Sequence, residues 1–135
     1  MATKVDFCQI FERAKAMGIT DPEGNTVLTV PGNIIGSSEV TPLELTAAYG
    51  TLANHGTLCS PMALLEVEDR DGTILKTYQP ECASAIDSTV AKQVTNVLYK
   101  AYQSQPYQIG RPYAGKSGTT DENSSVWFVG FTPQL

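Results

Sequence analysis

The stretch CSPMALLEVEDRDGTILKTYQPEC, Cys59 to Cys82, constrains this chain more than any other. Two runs rich in apolar and β-branched residues flank the turn formers DRDG, the pattern of a β-hairpin. With the turn centred on Arg70 and Asp71, Cys59 and Cys82 stand equidistant from it and face each other on antiparallel strands. Facing positions lie within reach of a bridge, so the spacing predicts a Cys59–Cys82 disulfide, or close contact, and with it an oxidising compartment. A turn shifted to Asp71–Gly72 would break that symmetry. The third cysteine, Cys8, has no such counterpart. With no C-x-x-C and a single histidine, neither a metal site nor a cofactor is expected.

Helical periodicity surrounds the hairpin. KVDFCQIFERAKAMG places Val5, Cys8, Phe11 and Ala14 on one face, with Gly18 as a left-handed stop. Residues 21–40 carry turn formers around short β-branched runs, an irregular connection with room for one short strand. Thr41 caps, Pro42 takes the first helical position and Glu44 completes a T-x-x-E capping box. That helix should run to Gly56, with Leu43, Leu45, Ala47, Ala48 and Leu52 on its apolar face and His55, an ordinary exposed residue, in its last turn. A further helix over 87–105 starts at Asp87 or Ser88 and carries a stripe of Val90, Val94, Val97, Leu98 and Ala101. YAGKSGTT, the turn DENSS and VWFVGF then read as strand, loop, strand. These elements make one α+β domain, an antiparallel sheet with packed helices.

Bulk properties remove whole classes of function. A net charge of −5, with no cluster of Lys and Arg, argues against nucleic acid as a partner. No run of about 18 apolar residues spans a membrane, and MATKVDF lacks the blocks of a signal peptide, so the chain itself reads as soluble.

Two short patterns overlap in GRPYAGKSGTT. From Gly110 it is G-x-x-x-x-G-K-S, the letters of a phosphate-binding P-loop; from Lys116 it is K-S-G-T. A P-loop needs a helix directly after its lysine, yet Gly118, two threonines and a turn follow, and Pro112 removes a backbone donor from the loop. The second pattern needs an exposed strand edge. There Lys116 supplies positive charge, Ser117 and Thr119 supply hydroxyls, and Gly118 lets a ligand lie against the backbone.

Three longer stretches extend the second pattern: GSSEVTPLELTAAYGTLANHG, PMALLEVEDRDGTIL and AGKSGTTDENSSVWFVGFTPQL. In that order they resemble the later part of the transpeptidase domain of class A, bifunctional penicillin-binding proteins. The likeness runs from about Ile34 to Leu135 and takes in the AKAMGI ending of the first helix. It implies a partial penicillin-binding-protein/β-lactamase-like fold with a five-stranded antiparallel sheet. It also implies an extracytoplasmic, membrane-anchored parent that crosslinks peptidoglycan stem peptides through a serine acyl-enzyme and takes β-lactams as mimics.

The family uses S-x-x-K, S-x-N and K-T-G or K-S-G; only the last is present, at Lys116, Ser117 and Gly118, with Thr119 beside it in the ligand-binding set. No serine stands three residues before a lysine or two before an asparagine. Residues 1–135 therefore read as the C-terminal portion of such a domain, inactive alone for want of the nucleophile. Its uncovered surface should self-associate or pair with the missing half. The alternative is a non-catalytic module that holds peptidoglycan or a partner protein; a P-loop nucleotide binder is a remote third.

Overall fold

The computed structural model describes residues 6–21, 23–25, 27, 30–103 and 109–134. They form helices α1 (Phe7–Ala16), α2 (Pro42–Ala53) and α3 (Ser88–Gln103). The strands are β1 (Thr57–Cys59), β2 (Glu66–Glu68), β3 (Ile74–Thr77), β4 (Cys82–Ser84), β5 (Ala114–Thr119) and β6 (Val126–Phe131). The strands pair as three two-stranded antiparallel ladders, β1–β4, β2–β3 and β5–β6. The class is α+β, as the residue pattern predicts, but among the described residues no ladder reaches the five strands that the resemblance implies.

Local chemistry sets the helix ends. Asp6 caps α1 by accepting from the Cys8 and Gln9 amides, and Gly18 turns left-handed after it. Phe11 is buried, as the periodicity predicts, but Cys8 is exposed and the inward face runs through Phe7, Ile10 and Ala14. Val5 lies outside the described residues. At α2 the capping box closes in both directions, Glu44 N–H to Thr41 Oγ1 and Thr41 N–H to Glu44 Oε2, each 3.3 Å. The Thr20 hydroxyl donates to the same carboxylate. These bonds, Thr20's first, hold the Glu44 carboxyl below its ordinary pKa.

Helix α2 stops at Ala53, earlier than the apolar pattern suggests. His55 is exposed and left-handed rather than part of the last turn. Gly56 follows, also left-handed, where any Cβ would meet the Ile86 carbonyl at 2.2 Å. The buried face of α2 is Ala48, Thr51 and Leu52, whereas Leu43 points to solvent.

The hairpin holds its cysteines together by a route different from the one the spacing suggests. Cys59 and Cys82 are bridged (S–S 2.05 Å) and stand opposite each other in the β1–β4 ladder. The turn itself is the expected one, since the Asp69 carbonyl accepts from Gly72 N–H and so brackets Arg70–Asp71, but Asp69 N–H then donates to the Thr73 carbonyl past a left-handed Gly72, one residue out of the symmetric pairing. A bulge at Val67/Glu68 shifts the β2–β3 register further, and the unequal segments 60–65 and 78–81 restore the facing at the cysteines.

Helix α3 starts at Asp87, whose side chain accepts from Thr89 N–H (2.8 Å) and Val90 N–H (3.3 Å). Its packed face also differs from the predicted stripe. Ala91 is fully buried and Thr95, Leu98 and Tyr102 continue its line, while Val90, Val94 and Val97 stay exposed. The helix meets the β5–β6 ladder through Tyr102, which lies against Ser117 and Phe128, and the valines are rotated to the side. The total accessible surface is 9967 Å², against about 6,900 Å² expected for a finished domain of this mass.

Candidate active site

The strand β5 carries the K-S-G residues and pairs with β6 in unbroken register, from Ala114 opposite Phe131 to Thr119 opposite Val126. Alternation divides its side chains. Ala114, Lys116 and Gly118 share one face with Phe131, Val129 and Trp127; Gly115, Ser117 and Thr119 share the other with Gly130, Phe128 and Val126. Gly115 and Gly130 oppose each other because nothing larger fits: a Cβ on Gly115 would come within 2.6 Å of the Phe128 ring and 2.7 Å of the Val129 carbonyl. Gly118 is different. A Cβ there would meet nothing within 4 Å, so its face of the strand is open.

Strand continuity from Ala114 to Thr119 disposes of the P-loop letters, since Lys116 is followed by extended backbone instead of a helix N-terminus.

Two side chains hold Ser117 at the outer edge of β5. Its N–H donates to the Tyr102 phenol (2.7 Å), and the phenol donates to Ser117 Oγ (2.7 Å). The Lys116 ammonium donates to the Ser117 carbonyl (2.7 Å). Tyr102 comes from the last turn of α3 and is fixed by an aromatic cluster, edge-on to Phe128 (centroids 5.3 Å) and tilted against Tyr113 (6.0 Å). The bond to the Ser117 hydroxyl, then the Ser117 N–H and the Lys116 charge, lower the phenol's pKa from its ordinary value. Nothing in the sequence pattern marks Tyr102 as a site residue; it comes into view only when α3 is laid on the sheet.

Beyond the strand, Thr120 closes the connection to β6 through Thr120 N–H to the Ser125 carbonyl (3.0 Å) and Ser125 N–H to Thr120 Oγ1 (2.8 Å). Lys116, Ser117, Gly118 and Thr119 are all exposed.

A cavity of about 730 Å³ lies elsewhere, between the end of α2, α3, Ala114 and Phe131, and none of Lys116–Thr119 lines it. Thr95 Oγ1 and Thr132 Oγ1 are buried beside it without a hydrogen-bond partner among the described residues. Among the described residues no group of three His, Cys, Asp or Glu could hold a metal ion, and no helix is long and apolar enough to cross a membrane.

Comparison with known proteins gives this strand a context. The family described as Penicillin binding protein transpeptidase domain matches residues 10–134. The chain belongs to that family. Penicillin-binding protein 1A of Aquifex aeolicus is 33% identical over 136 residues, covering 98% of this chain and 18% of the relative. The fold is likewise that of penicillin-binding transpeptidase domains. Penicillin-binding protein 1A of Haemophilus influenzae superposes with a TM-score of 0.77 at 20% identity over 93% of this chain and 25% of that one. Penicillin-binding protein A of Mycobacterium tuberculosis, solved as an imipenem acyl-enzyme complex, gives 0.72 at 22% identity over 92% and 33%. The chain thus spans about a fifth of the Aquifex relative it matches and makes up a piece of a penicillin-binding protein transpeptidase domain.

Proposed function

We propose that this chain supplies the K-S-G wall of a serine-type D,D-transpeptidase site. The complete site would crosslink peptidoglycan stem peptides through an acyl-enzyme and accept β-lactams in their place. The observation that carries the reading is the exposed edge of β5, where a cation (Lys116), two hydroxyls (Ser117, Thr119) and a side-chain-free position (Gly118) lie in sequence on one strand. Ser117 N–H points away from β6 and is taken by the Tyr102 phenol, and strand alternation directs Thr119 N–H the same way, so the edge offers a main-chain donor, Thr119 N–H, beside the charge. Such an edge binds an extended, carboxylate-ended peptide by strand pairing at one end and charge at the other.

The nucleophile has to come from outside these 135 residues, since no S-x-x-K occurs among them. Without it the chain neither transpeptidates nor is acylated by penicillin. The surface left uncovered and the apolar β6 edge (Val126 67%, Trp127 40% and Phe128 53% exposed) suit contact with the remainder of such a domain. An extracytoplasmic setting and a membrane-anchored parent belong to the same reading, as does the Cys59–Cys82 bridge.

Split-domain complementation tests this. Labelled with a fluorescent penicillin, the chain alone should give no covalent band. Co-expressed with the S-x-x-K- and S-x-N-bearing part of the Aquifex relative, it should restore labelling of that partner, and Lys116→Ala should abolish the restoration. Labelling that ignores Lys116→Ala would sink the K-S-G role; labelling of the chain alone would sink its dependence on an outside nucleophile.

A further inference from the structure

Both main-chain groups that Ser117 presents to the outer edge of β5 are already engaged, the N–H by Tyr102 and the carbonyl by Lys116. Thr119, the next residue facing that way, has no such cover among the described residues. The Tyr102 phenol makes a two-point contact. It accepts from the Ser117 backbone and donates its own proton to Ser117 Oγ. A hydroxyl that accepts at that position keeps its remaining proton for a different acceptor.

We infer that Tyr102 is a positioning residue of the K-S-G strand, which withdraws Ser117 N–H from ligand pairing and turns the Ser117 hydroxyl into a dedicated donor facing the ligand. The inference rests on the reading of β5 as the ligand edge. It narrows what that edge accepts. A long peptide adding itself as a full strand would need Ser117 N–H; a short ligand can pair at Thr119 alone and place a carboxylate against the Ser117 hydroxyl and the Lys116 ammonium. The aromatic cluster of Tyr102, Tyr113 and Phe128 keeps the phenol in place, and α3 thereby becomes part of the site.

Tyr102→Phe keeps the ring and its packing and removes only the hydroxyl. Amide exchange of the ¹⁵N-labelled chain, followed by NMR, should show Ser117 exchanging about fivefold faster in the variant, as expected for one lost hydrogen bond of about 1 kcal/mol, with Thr119 unchanged. Penicillin G is the probe for the second measurement. In the unaltered chain it should perturb the Thr119 amide and leave that of Ser117 in place; in Tyr102→Phe it should perturb both and bind about fivefold more weakly. Ser117→Ala should weaken binding similarly, and Tyr102→Phe should add nothing in that background. Ser117 exchange untouched by Tyr102→Phe would overturn the inference, as would additive losses in the double variant. Penicillin G leaving every amide from Lys116 to Thr119 unshifted would overturn the ligand-edge reading instead, while the exchange result still decides whether the phenol holds the strand.

Discussion

The β2–β3 and β5–β6 ladders have the same antiparallel bonding and are held by opposite means. Every residue of β2 and β3 is exposed, and their register slips at a bulge. What fixes them is turn chemistry: Asp69 Oδ1 accepts from Asp71 N–H (2.8 Å) and Thr73 N–H (2.9 Å), with the Cys59–Cys82 bridge at the base. The β5–β6 ladder has unbroken pairing, a buried start at Ala114–Gly115 and α3 laid over one face. One hairpin is specified by bonds between near neighbours, the other by volume. Only the second carries the K-S-G residues, which agrees with the general need for a site to rest on elements that cannot drift.

Removing the bridge is the strongest way to separate the two. Replacing Cys59 and Cys82 by serine frees a loop with a sequence separation of 23 residues and should cost about 3 kcal/mol in denaturant unfolding. Amide exchange should quicken in β1–β4 and β2–β3 first. Equal loosening of β5–β6 would break the comparison.

Gly115→Ala tests the volume side. It should cost about 2 kcal/mol through overpacking against Phe128, whereas Gly118→Ala, with open space around it, should change stability by no more than about 0.5 kcal/mol. Thermal melts of the two variants give the difference, and similar losses would mean that β5 is not packed as described. A smaller effect is expected at α2, away from both hairpins. Thr41→Ala should cost about 1 kcal/mol by opening the capping box, seen as an earlier melt with the Tyr102–Ser117 contact intact.

The mildest lever is pH. Bonds from Thr73 and then Asp71 lower the Asp69 carboxyl from its ordinary 3.8, and bonds from Thr89 and then Val90 do the same for Asp87. Each carboxylate binds fewer protons folded than unfolded. Its contribution is therefore complete above the ordinary value and fades as pH falls through the lower folded one. Acid titration by NMR should shift the Thr73 amide with Asp69 and the Thr89 amide with Asp87, leaving the β5 amides still. Movement of β5 in the same window would tie the two ladders together.

Much of this was readable from residue types alone, where the determinants are local. The Thr41 capping box, the strand run around Lys116–Thr119 and the Asp87 cap each depend on side chains within three or four positions. The cysteine pairing and the Arg70–Asp71 turn are readable too, although the register shifts at Gly72 and at Val67/Glu68 that lie between them are offset only by the unequal segments 60–65 and 78–81. What stayed hidden depends on how elements meet. The valine stripe of α3 reads as its core face, but the residues turned inward are Ala91, Thr95, Leu98 and Tyr102. Cys8 read as inward by spacing, and the α1 surface turned it out. The Tyr102–Ser117 contact joins residues fifteen apart through a docking angle that no periodicity encodes.

The chain's one tryptophan, Trp127, stands in β6 directly opposite Gly118 and is 40% exposed. Nature has thus placed a fluorophore where water and any covering partner compete. Emission should shift to the blue when another surface closes over this strand, and ligand arriving at the bare Gly118 across the ladder should register in the same signal, so the polypeptide reports its own completion without a label.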